Sequence, residues 1–248
     1  MERGLLSDRM GMRPEPSTPC WRILRVGMGA TTGDHDPMKI TNFRDDKILS
    51  YEKTEDREVL ERGVDRLHLA VGGFDDLRGT HYSRAKLKFD FAAGQPIILR
   101  TVFDFPLDFY QRHEASLKLM TVGTESPYQR LGLWLADDVF PRLQVEYKGR
   151  PLKTMWTGTK RIPTGRTLVR LLLVPSAWPS GLMRVSVNGE RWGETRGANI
   201  DAATLKVNRA VFGMDGAAGQ DTKQLSLDIL EIEVRSVEID VVYKVKPK

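Results

Sequence analysis

The chain has 248 residues, of which 40% are hydrophobic and 29% charged, as is typical of a globular protein with a substantial buried core. Its apolar stretches are far shorter than the roughly 20 residues of a membrane-spanning helix, so the sequence predicts no membrane insertion. The single cysteine, Cys20, excludes an internal disulfide and a cysteine-based metal site.

The formal net charge is +5, and the excess is concentrated between Arg142 and Arg170, where Glu146 is the only acidic residue. Such a stretch favours polyanionic partners, although a solvated surface of strands and loops has the same composition. Acidic polysaccharide and nucleic acid both fit the charge. The sequence has no recognisable nucleic-acid-binding module, which argues against nucleic acid.

Residues 1–37 have no sustained hydrophobic period and are rich in proline and glycine. Met38 follows directly, so we expect a flexible leader or a mis-assigned start at residues 1–37 and a folded domain over residues 38–248. Charges and prolines interrupt each apolar patch near the N-terminus, and no secretion signal is visible.

From Tyr82 onward the hydrophobic period is two, which predicts β-strands. In the first of these strands, apolar and charged side chains alternate, so one side is buried and the other faces water. Further short strands follow, and each ends in glycine, proline or a charged pair. The apolar members of the first two strands are Ala85, Leu87, Phe89, Phe91, Ile97, Leu99, Phe103 and Phe105.

A tight hairpin is predicted at Asn188 and Gly189, which follow Val185 and Val187, because Asn-Gly is the preferred pair of type I′ turns. Three more strands are expected in the segments LKVNRAVFG, QLSLDILEIEV and SVEIDVVYKV. The best helical candidate, residues 52–62, is so charged that it allows a short helix at most. Ten or more short strands predict an all-β fold, an antiparallel sandwich or barrel.

Four segments resemble the concanavalin A-like superfamily of lectins, laminin-G-like modules, glucanases and polysaccharide lyases. They are HYSRAKLKFDF with IILRTVFDFPLDF, the hairpin segment LVRLLLVPSAWPSGLMRVSVNGERWGE, RAVFGMD, and LSLDILEIEV. The resemblance covers residues 80–245 and implies a two-sheet antiparallel jelly-roll sandwich. It contains no signature motif, so it bears on fold rather than activity.

The chemistry of known members suggests two kinds of active site. Glucanases of this fold carry paired carboxylates in one strand, but Asp228, Glu231 and Glu233 do not match their spacing. A lyase needs a base and a cation that stabilises the enolate beside a uronate carboxyl group. The residues with this chemistry are Tyr82, Arg84, Arg100, Tyr110, Arg112 and His113.

Carbohydrate-binding modules stack sugar rings on exposed aromatic side chains and hold the hydroxyls with polar groups. Trp134 is a candidate platform because, in LGLWLAD, its side chain points away from the neighbouring leucines. Trp178 lies in an apparent loop, and for each tryptophan a packing role is the alternative. The ligand-binding candidates are Trp134, Trp156, Trp192, Arg142 and Arg150.

Some relatives bind calcium, which prefers six to eight oxygen ligands. Asp228 matches the aspartate of their closing strand, and Asp137, Asp138 and Asp215 are further oxygen donors. No loop has the regular acidic spacing of a dedicated site, so calcium at Asp228 remains a hypothesis from the resemblance.

The sequence therefore predicts a non-catalytic carbohydrate-binding module, lectin-like or laminin-G-like, whose ligand is an acidic polysaccharide. The alternatives are a polysaccharide lyase or glycoside hydrolase that acts on an acidic polymer, and a structural protein of a surface assembly. The lack of an export signal predicts a cytoplasmic protein, whereas the resemblance implies an extracellular one. Oligomeric state is left open.

Overall fold

The computed structural model describes residues 37–54, 58–72, 81–91, 95–112, 116–124, 129–136, 138–147, 151–174, 181–196, 207–217 and 224–237. All of them belong to one compact unit, Thr31–Glu238. The predicted leader, apart from Pro37, and most of the final predicted strand lie outside the described residues. Within the described ranges, no helix has the length and apolar character that crossing a membrane requires.

The described chain is almost entirely β-structure, with a single helical turn, α1 (Phe109–Arg112). The strands are β1 (Met38–Ile40), β2 (Leu49–Lys53), β3 (Val59–Arg62), β4 (Leu67–Gly72), β5 (His81–Lys88), β6 (Ile97–Phe105), β7 (Leu117–Thr124), β8 (Gln129–Leu135), β9 (Pro141–Tyr147), β10 (Lys153–Thr157), β11 (Gly165–Val174), β12 (Leu182–Val187), β13 (Glu190–Arg196), β14 (Arg209–Ala217) and β15 (Gln224–Ser236).

These strands form two antiparallel sheets. The eight-stranded sheet has the order β13-β12-β11-β6-β15-β4-β3, and β1 pairs with β15. The seven-stranded sheet has the order β10-β9-β8-β7-β14-β5-β2. The prediction of an all-β, two-sheet antiparallel sandwich is confirmed.

The core lies between the sheets and is built from alternate residues of each strand. In β5, Ala85 and Leu87 are fully buried in this core, and in β6 Leu99 and Phe103 face them from the other sheet. Since successive side chains of a strand point to opposite faces, the residues between these positions form the outer faces of the sandwich.

The Asn188-Gly189 hairpin is confirmed. Both residues have positive φ, 51° and 84°, as a type I′ turn requires, and they join β12 to β13. The backbone N–H of Leu168 donates to Asn188 Oδ1 at 2.9 Å, which anchors the turn to the neighbouring strand β11.

The charged segment 52–62 does not form a helix in its described part, where it supplies the end of β2 and all of β3. In the described residues, the one helical turn is α1, which lies further along the chain. Its aromatic side chains pack beside the end of β6. The ring of Phe105 lies 5.0 Å from that of Phe109, and Phe109 lies 5.3 Å from Tyr110. Pairing of β3 with β4 satisfies backbone groups that a short, highly charged helix would leave to solvent.

Candidate functional site

The outer face of the seven-stranded sheet is strongly basic. Its cationic side chains alternate with core residues such as Leu87, Leu131, Leu143 and Ala210, and we call this surface the cationic face. Its cations are Arg84, Lys86 and Lys88 on β5, Arg209 on β14, Lys118 on β7, Arg130 on β8 and Arg142 on β9.

Strand register brings these cations together although they are far apart in sequence. Arg209 is the partner of Lys88 on one side and of Gly123 on the other, and Gly123 in turn pairs with Arg130. Lys118 and Arg142 both pair with Trp134, one from each side. With neighbouring strands about 4.8 Å apart, the charges form one continuous surface.

Some of these cations are paired with acidic side chains. Glu52 Oε2 lies 2.9 Å from Arg84 Nη2 and 2.5 Å from Lys86 Nζ. Burial opposes ionisation of Glu52, but hydrogen bonds from Lys86 and Arg84 outweigh it and lower its pKa. Lys118 pairs with Glu146 at 3.0 Å, and Arg142 with Asp138 at 2.6 Å.

A group of buried polar side chains surrounds Gly132 near the middle of the cationic face, and we call this group the Gly132 niche. Gly132 pairs with Thr121 on β7 and with Gln144 on β9, so these two side chains flank a position that has no side chain. Trp134, two residues along β8, points to the same face. Thr121, Gln144 and Trp134 are 1%, 3% and 1% exposed.

Each of these three side chains has a buried polar atom without a hydrogen-bond partner in the structure as described: Thr121 Oγ1, Gln144 Oε1 and Trp134 Nε1. The other end of the Gln144 amide is satisfied, because Nε2 donates to Thr154 Oγ1 at 2.8 Å. A buried polar atom without a partner costs about 1–3 kcal/mol. Three such atoms close together require an explanation, and a bound water or ligand that pairs with them would provide one.

The sequence-predicted lyase residues do not lie together. Tyr82 and Arg84 share the cationic face, and the Arg84 guanidinium lies 3.8 Å from the centre of the Tyr82 ring. Arg100 is on the outer face of the other sheet, where it pairs with Glu231 and Glu233.

The remaining lyase candidates lie at α1. Tyr110 packs beside the core and donates to the carbonyl of Ile162 at 2.5 Å, and burial raises its pKa above the ordinary value. Arg112 pairs with Asp108 at 2.6 Å, and His113 lies outside the described residues. Among the described lyase candidates, Tyr82 and Arg84 are therefore the pair in direct contact.

The candidate ligand-binding residues divide between two places. Trp134 points away from the core leucines, as predicted, but its indole is covered and therefore does not offer an open stacking face. Arg142 lies beside it on the cationic face. Trp156 and Trp192 come together at a small depression between β10 and β13, on the edges of the two sheets. Arg150 and Trp178 lie outside the described residues.

The basic stretch between Arg142 and Arg170 does not form one patch. Arg142 belongs to β9 of the seven-stranded sheet, whereas Arg166 and Arg170 belong to β11 of the eight-stranded sheet. The chain crosses between the sheets within the stretch, so cations that are close in sequence end on different sheets. The cationic face depends instead on β5, β7, β8 and β14.

Asp228, the candidate calcium ligand, is engaged by a histidine and an arginine. Its Oδ1 lies 2.5 Å from His68 Nδ1, and its Oδ2 lies 3.4 Å from Arg66 Nη1. Asp138 pairs with Arg142, while Asp137 and the side chain of Asp215 are not described. Across the described part of the chain, no group of three histidine, cysteine or acidic residues is arranged to hold a metal.

Sequence reasoning missed Thr121, Gln144, Arg130 and Arg209. Alternation within each strand could have identified their side of the sheet. Each of them lies next to a core residue, such as Val122, Val145 or Ala210, and its side chain therefore points to the outer face. A polar residue at such a position is ordinarily exposed, and the sequence does not indicate that these four are buried.

No protein-family model matches the sequence, and no curated protein matches it either. Solved structures do resemble it. An endo-β-1,4-glucuronan lyase from the fungus Trichoderma reesei is 13% identical, with a TM-score of 0.56 over 78% of this chain and 89% of that one. The alginate lyase Aly36B is 11% identical, with a TM-score of 0.57 over 83% of this chain and 98% of that one.

The binding domain of botulinum neurotoxin serotype D is 12% identical, with a TM-score of 0.52 over 82% of this chain and 48% of that one. Together with the two antiparallel sheets, these likenesses show a concanavalin A-like jelly-roll sandwich. They bear on the fold alone.

Proposed function

Starting from a concanavalin A-like sandwich with one strongly basic outer face, we propose that this protein is a non-catalytic carbohydrate-binding module, lectin-like or laminin-G-like. Its ligand is an acidic polysaccharide that lies on the cationic face. The observation that carries the proposal is the Gly132 niche, where Thr121, Gln144 and Trp134 each have a buried polar atom without a hydrogen-bond partner in the described structure.

The charge of the face supports an anionic ligand. Arg84, Lys86, Lys118 and Arg142 have carboxylate partners, but among the described residues the cations of this face outnumber its acidic residues. Seven strands spaced about 4.8 Å apart make a face about 30 Å wide, enough for several sugar residues of a polymer. A row of like charges also accelerates the association of a polyanion.

The niche supports a sugar rather than a simple anion. Trp134 Nε1 is a hydrogen-bond donor, Gln144 Oε1 an acceptor, and the Thr121 hydroxyl is both. A pyranose unit offers hydroxyl groups that donate and accept, and a uronate adds a carboxylate that accepts. Neighbouring Arg142 is paired with Asp138 through Nη2, but its buried Nε has no hydrogen-bond partner in the described structure and supplies a charged donor for that carboxylate.

The second candidate function is polysaccharide lyase activity on the same polymer. It is favoured by the contact between Tyr82 and Arg84 on the cationic face, since a phenol beside a guanidinium has the chemistry of a base and a carboxylate-neutralising cation. Two of the structurally similar proteins are named as a glucuronan lyase and an alginate lyase.

The test is binding of the full chain to polyglucuronate and alginate by isothermal titration calorimetry, with dextran as the neutral polymer and ultraviolet absorbance to detect unsaturated product. We expect binding to both acidic polymers, weakening with added salt, and no product. Arg142→Gln is expected to weaken binding about tenfold, the loss of one charge-assisted hydrogen bond.

Arg170→Gln is the matched control, because Arg170 is exposed on the eight-stranded sheet and its replacement makes the same change in net charge. Equal losses for the two variants would indicate unspecific attraction and contradict a site on the cationic face. Product formation would make the protein a lyase. The absence of binding to either acidic polymer would overturn the proposal and favour the surface-assembly alternative.

A further inference from the structure

A small depression, which we call the edge notch, lies where the edges of the two sheets meet. It has a cavity volume of about 70 Å³, is open to solvent, and is lined by Trp156, Thr159, Lys160, Glu190 and Trp192, among others. β10 is the last strand of the seven-stranded sheet and β13 the last of the eight-stranded sheet. This volume is well below the roughly 300 Å³ of a typical ligand pocket, so the notch suits one face of a single small ring, with the rest of the ring in solvent, rather than a polymer.

The aromatic wall of the notch is held in place by two glycines. A Cβ at Gly193 would come within 2.3 Å of the Trp156 ring, and a Cβ at Gly158 within 2.9 Å of the same indole. Trp156 is therefore fixed against backbone on two sides, which reduces the entropy lost when a ligand binds. Trp192 also lines the notch, and its Nε1 is buried without a hydrogen-bond partner in the described structure.

The rim of the notch supplies both donors and an acceptor. Lys160 Nζ lies 3.3 Å from Glu190 Oε1, and both side chains are about two-thirds exposed, so the pair contributes little to stability and is free to exchange with a ligand. Arg191 forms an ion pair with Glu194, with 3.5 Å between Nη2 and Oε2. The charges around the notch thus offset one another, which favours an uncharged ligand with hydroxyl groups.

We propose that the edge notch is a binding site for a single neutral pyranose residue, separate from the site for acidic polymer on the cationic face. The apolar C–H face of the sugar ring packs on the indoles of Trp156 and Trp192. Adjacent hydroxyls of the sugar donate to the Glu190 carboxylate and accept from the Lys160 ammonium group. A ligand of this size is expected to have a dissociation constant on the order of millimolar.

The experiment follows the indole N–H resonances of the 15N-labelled full chain by NMR. The methyl glycosides of glucose, galactose, mannose and N-acetylglucosamine are added one at a time, and Trp156→Phe and Trp192→Phe assign the two resonances. We expect both signals to shift and saturate with at least one glycoside. The Trp134 signal reports on the Gly132 niche, and a shift of that signal alone would place the glycoside there and overturn the proposal.

Glu190→Gln is expected to weaken glycoside binding several-fold, since the amide is a poorer acceptor than the carboxylate. Lys160→Gln tests the donor, and Lys153→Gln is its matched control, with the same change in charge at an exposed position of β10. No shift of either indole signal with any of the four glycosides would overturn the proposal, as would equal affinities for the Lys160 and Lys153 variants.

The two binding experiments test the two proposed sites independently of each other. Loss of polyuronate binding with glycoside shifts retained would refute the cationic face and leave the edge notch. Polyuronate binding without glycoside shifts would do the reverse. Unchanged thermal unfolding of the Glu190 and Lys160 variants is expected, because the replaced side chains are exposed.

Discussion

Thr121 and Gln144 face each other across Gly132: each is a register partner of that glycine, and each has a buried oxygen atom without a hydrogen-bond partner in the described structure. Gly132 cannot be replaced without moving β7, because a Cβ there would lie 2.0 Å from the carbonyl oxygen of Met120. Close strand packing thus requires the glycine, because the backbone of β7 occupies the space that a side chain would need.

Thr121→Val removes the unpartnered hydroxyl with little change in shape. Because a buried unpartnered group is destabilising, we expect the free energy of unfolding to stay the same or rise by about 1 kcal/mol, while affinity for polyuronate falls. Chemical denaturation and titration calorimetry measure the two effects.

Thr167→Val is the control for this substitution. Thr167 is equally buried, lies on the other sheet, and donates to the carbonyl of Pro163 at 3.0 Å. Its replacement is expected to lower stability by about 1 kcal/mol and to leave affinity unchanged. A clear loss of stability in Thr121→Val would mean that its hydroxyl has a partner, and would remove this support for the niche.

Glu52→Gln is expected to strengthen polyuronate binding several-fold. Glu52 pairs with Arg84 and Lys86 on the cationic face, and the substitution removes the carboxylate that neutralises the partly exposed Lys86. Glu194→Gln is the counterpart on the eight-stranded sheet, where Glu194 pairs with Arg184 at 2.7 Å. That variant should bind like the natural sequence, and an equal gain from both would point to net charge alone.

Glu194 makes stability depend on pH. Burial opposes its ionisation, but hydrogen bonds from Arg184 and Arg196 and the charge of Arg191 outweigh burial and lower its pKa below the ordinary 4.5. A carboxylate with a lowered folded-state pKa contributes stability above its unfolded-state pKa, and this contribution disappears as the pH falls through the folded-state value.

We therefore expect Glu194→Gln to lose less stability than the natural sequence on acidification from neutral pH to below about 4.5. Urea unfolding across that pH range measures the difference. Glu190→Gln, with its largely exposed partner Lys160, is expected to follow the natural sequence. Parallel curves for Glu194→Gln and the natural sequence would contradict the role assigned to Glu194.

Gly193→Ala is expected to destabilise the protein by about 1–3 kcal/mol, because its methyl group would overlap the Trp156 ring. In a Trp156→Leu background the same change should cost less, and the difference in a double-mutant cycle measures the contact. Additive costs would show that the two residues do not touch.

The sequence predicted the fold better than the site. Alternation identified the two faces of β5 and β6, and Asn188-Gly189 identified a hairpin, because both signals are local. Which strands neighbour one another is a long-range property. The niche needs Thr121, Gly132 and Gln144 in register across three strands, and alternation within each strand contains no information on that register.

Two details of the site depend on tertiary packing that no local pattern expresses. Arg84 lies on the predicted solvent side of β5 but is 8% exposed, and Trp134 lies on the predicted side of β8 but is covered. Likewise, the run of cations from Arg142 to Arg170 is continuous in sequence but not in space. The crossing from β9 and β10 to β11 separates them.

The placement of β10 beside β13 also bears on how the protein behaves at high concentration. An edge strand exposes unpaired backbone groups and invites pairing with a second molecule, which is a common start of aggregation. Here Lys153 on β10 and Arg191 and Arg196 on β13 are exposed cations at the two edges. Two copies that approach through these edges bring like charges together. The end of the sandwich at which Trp156 lies therefore also disfavours edge-to-edge strand pairing between molecules.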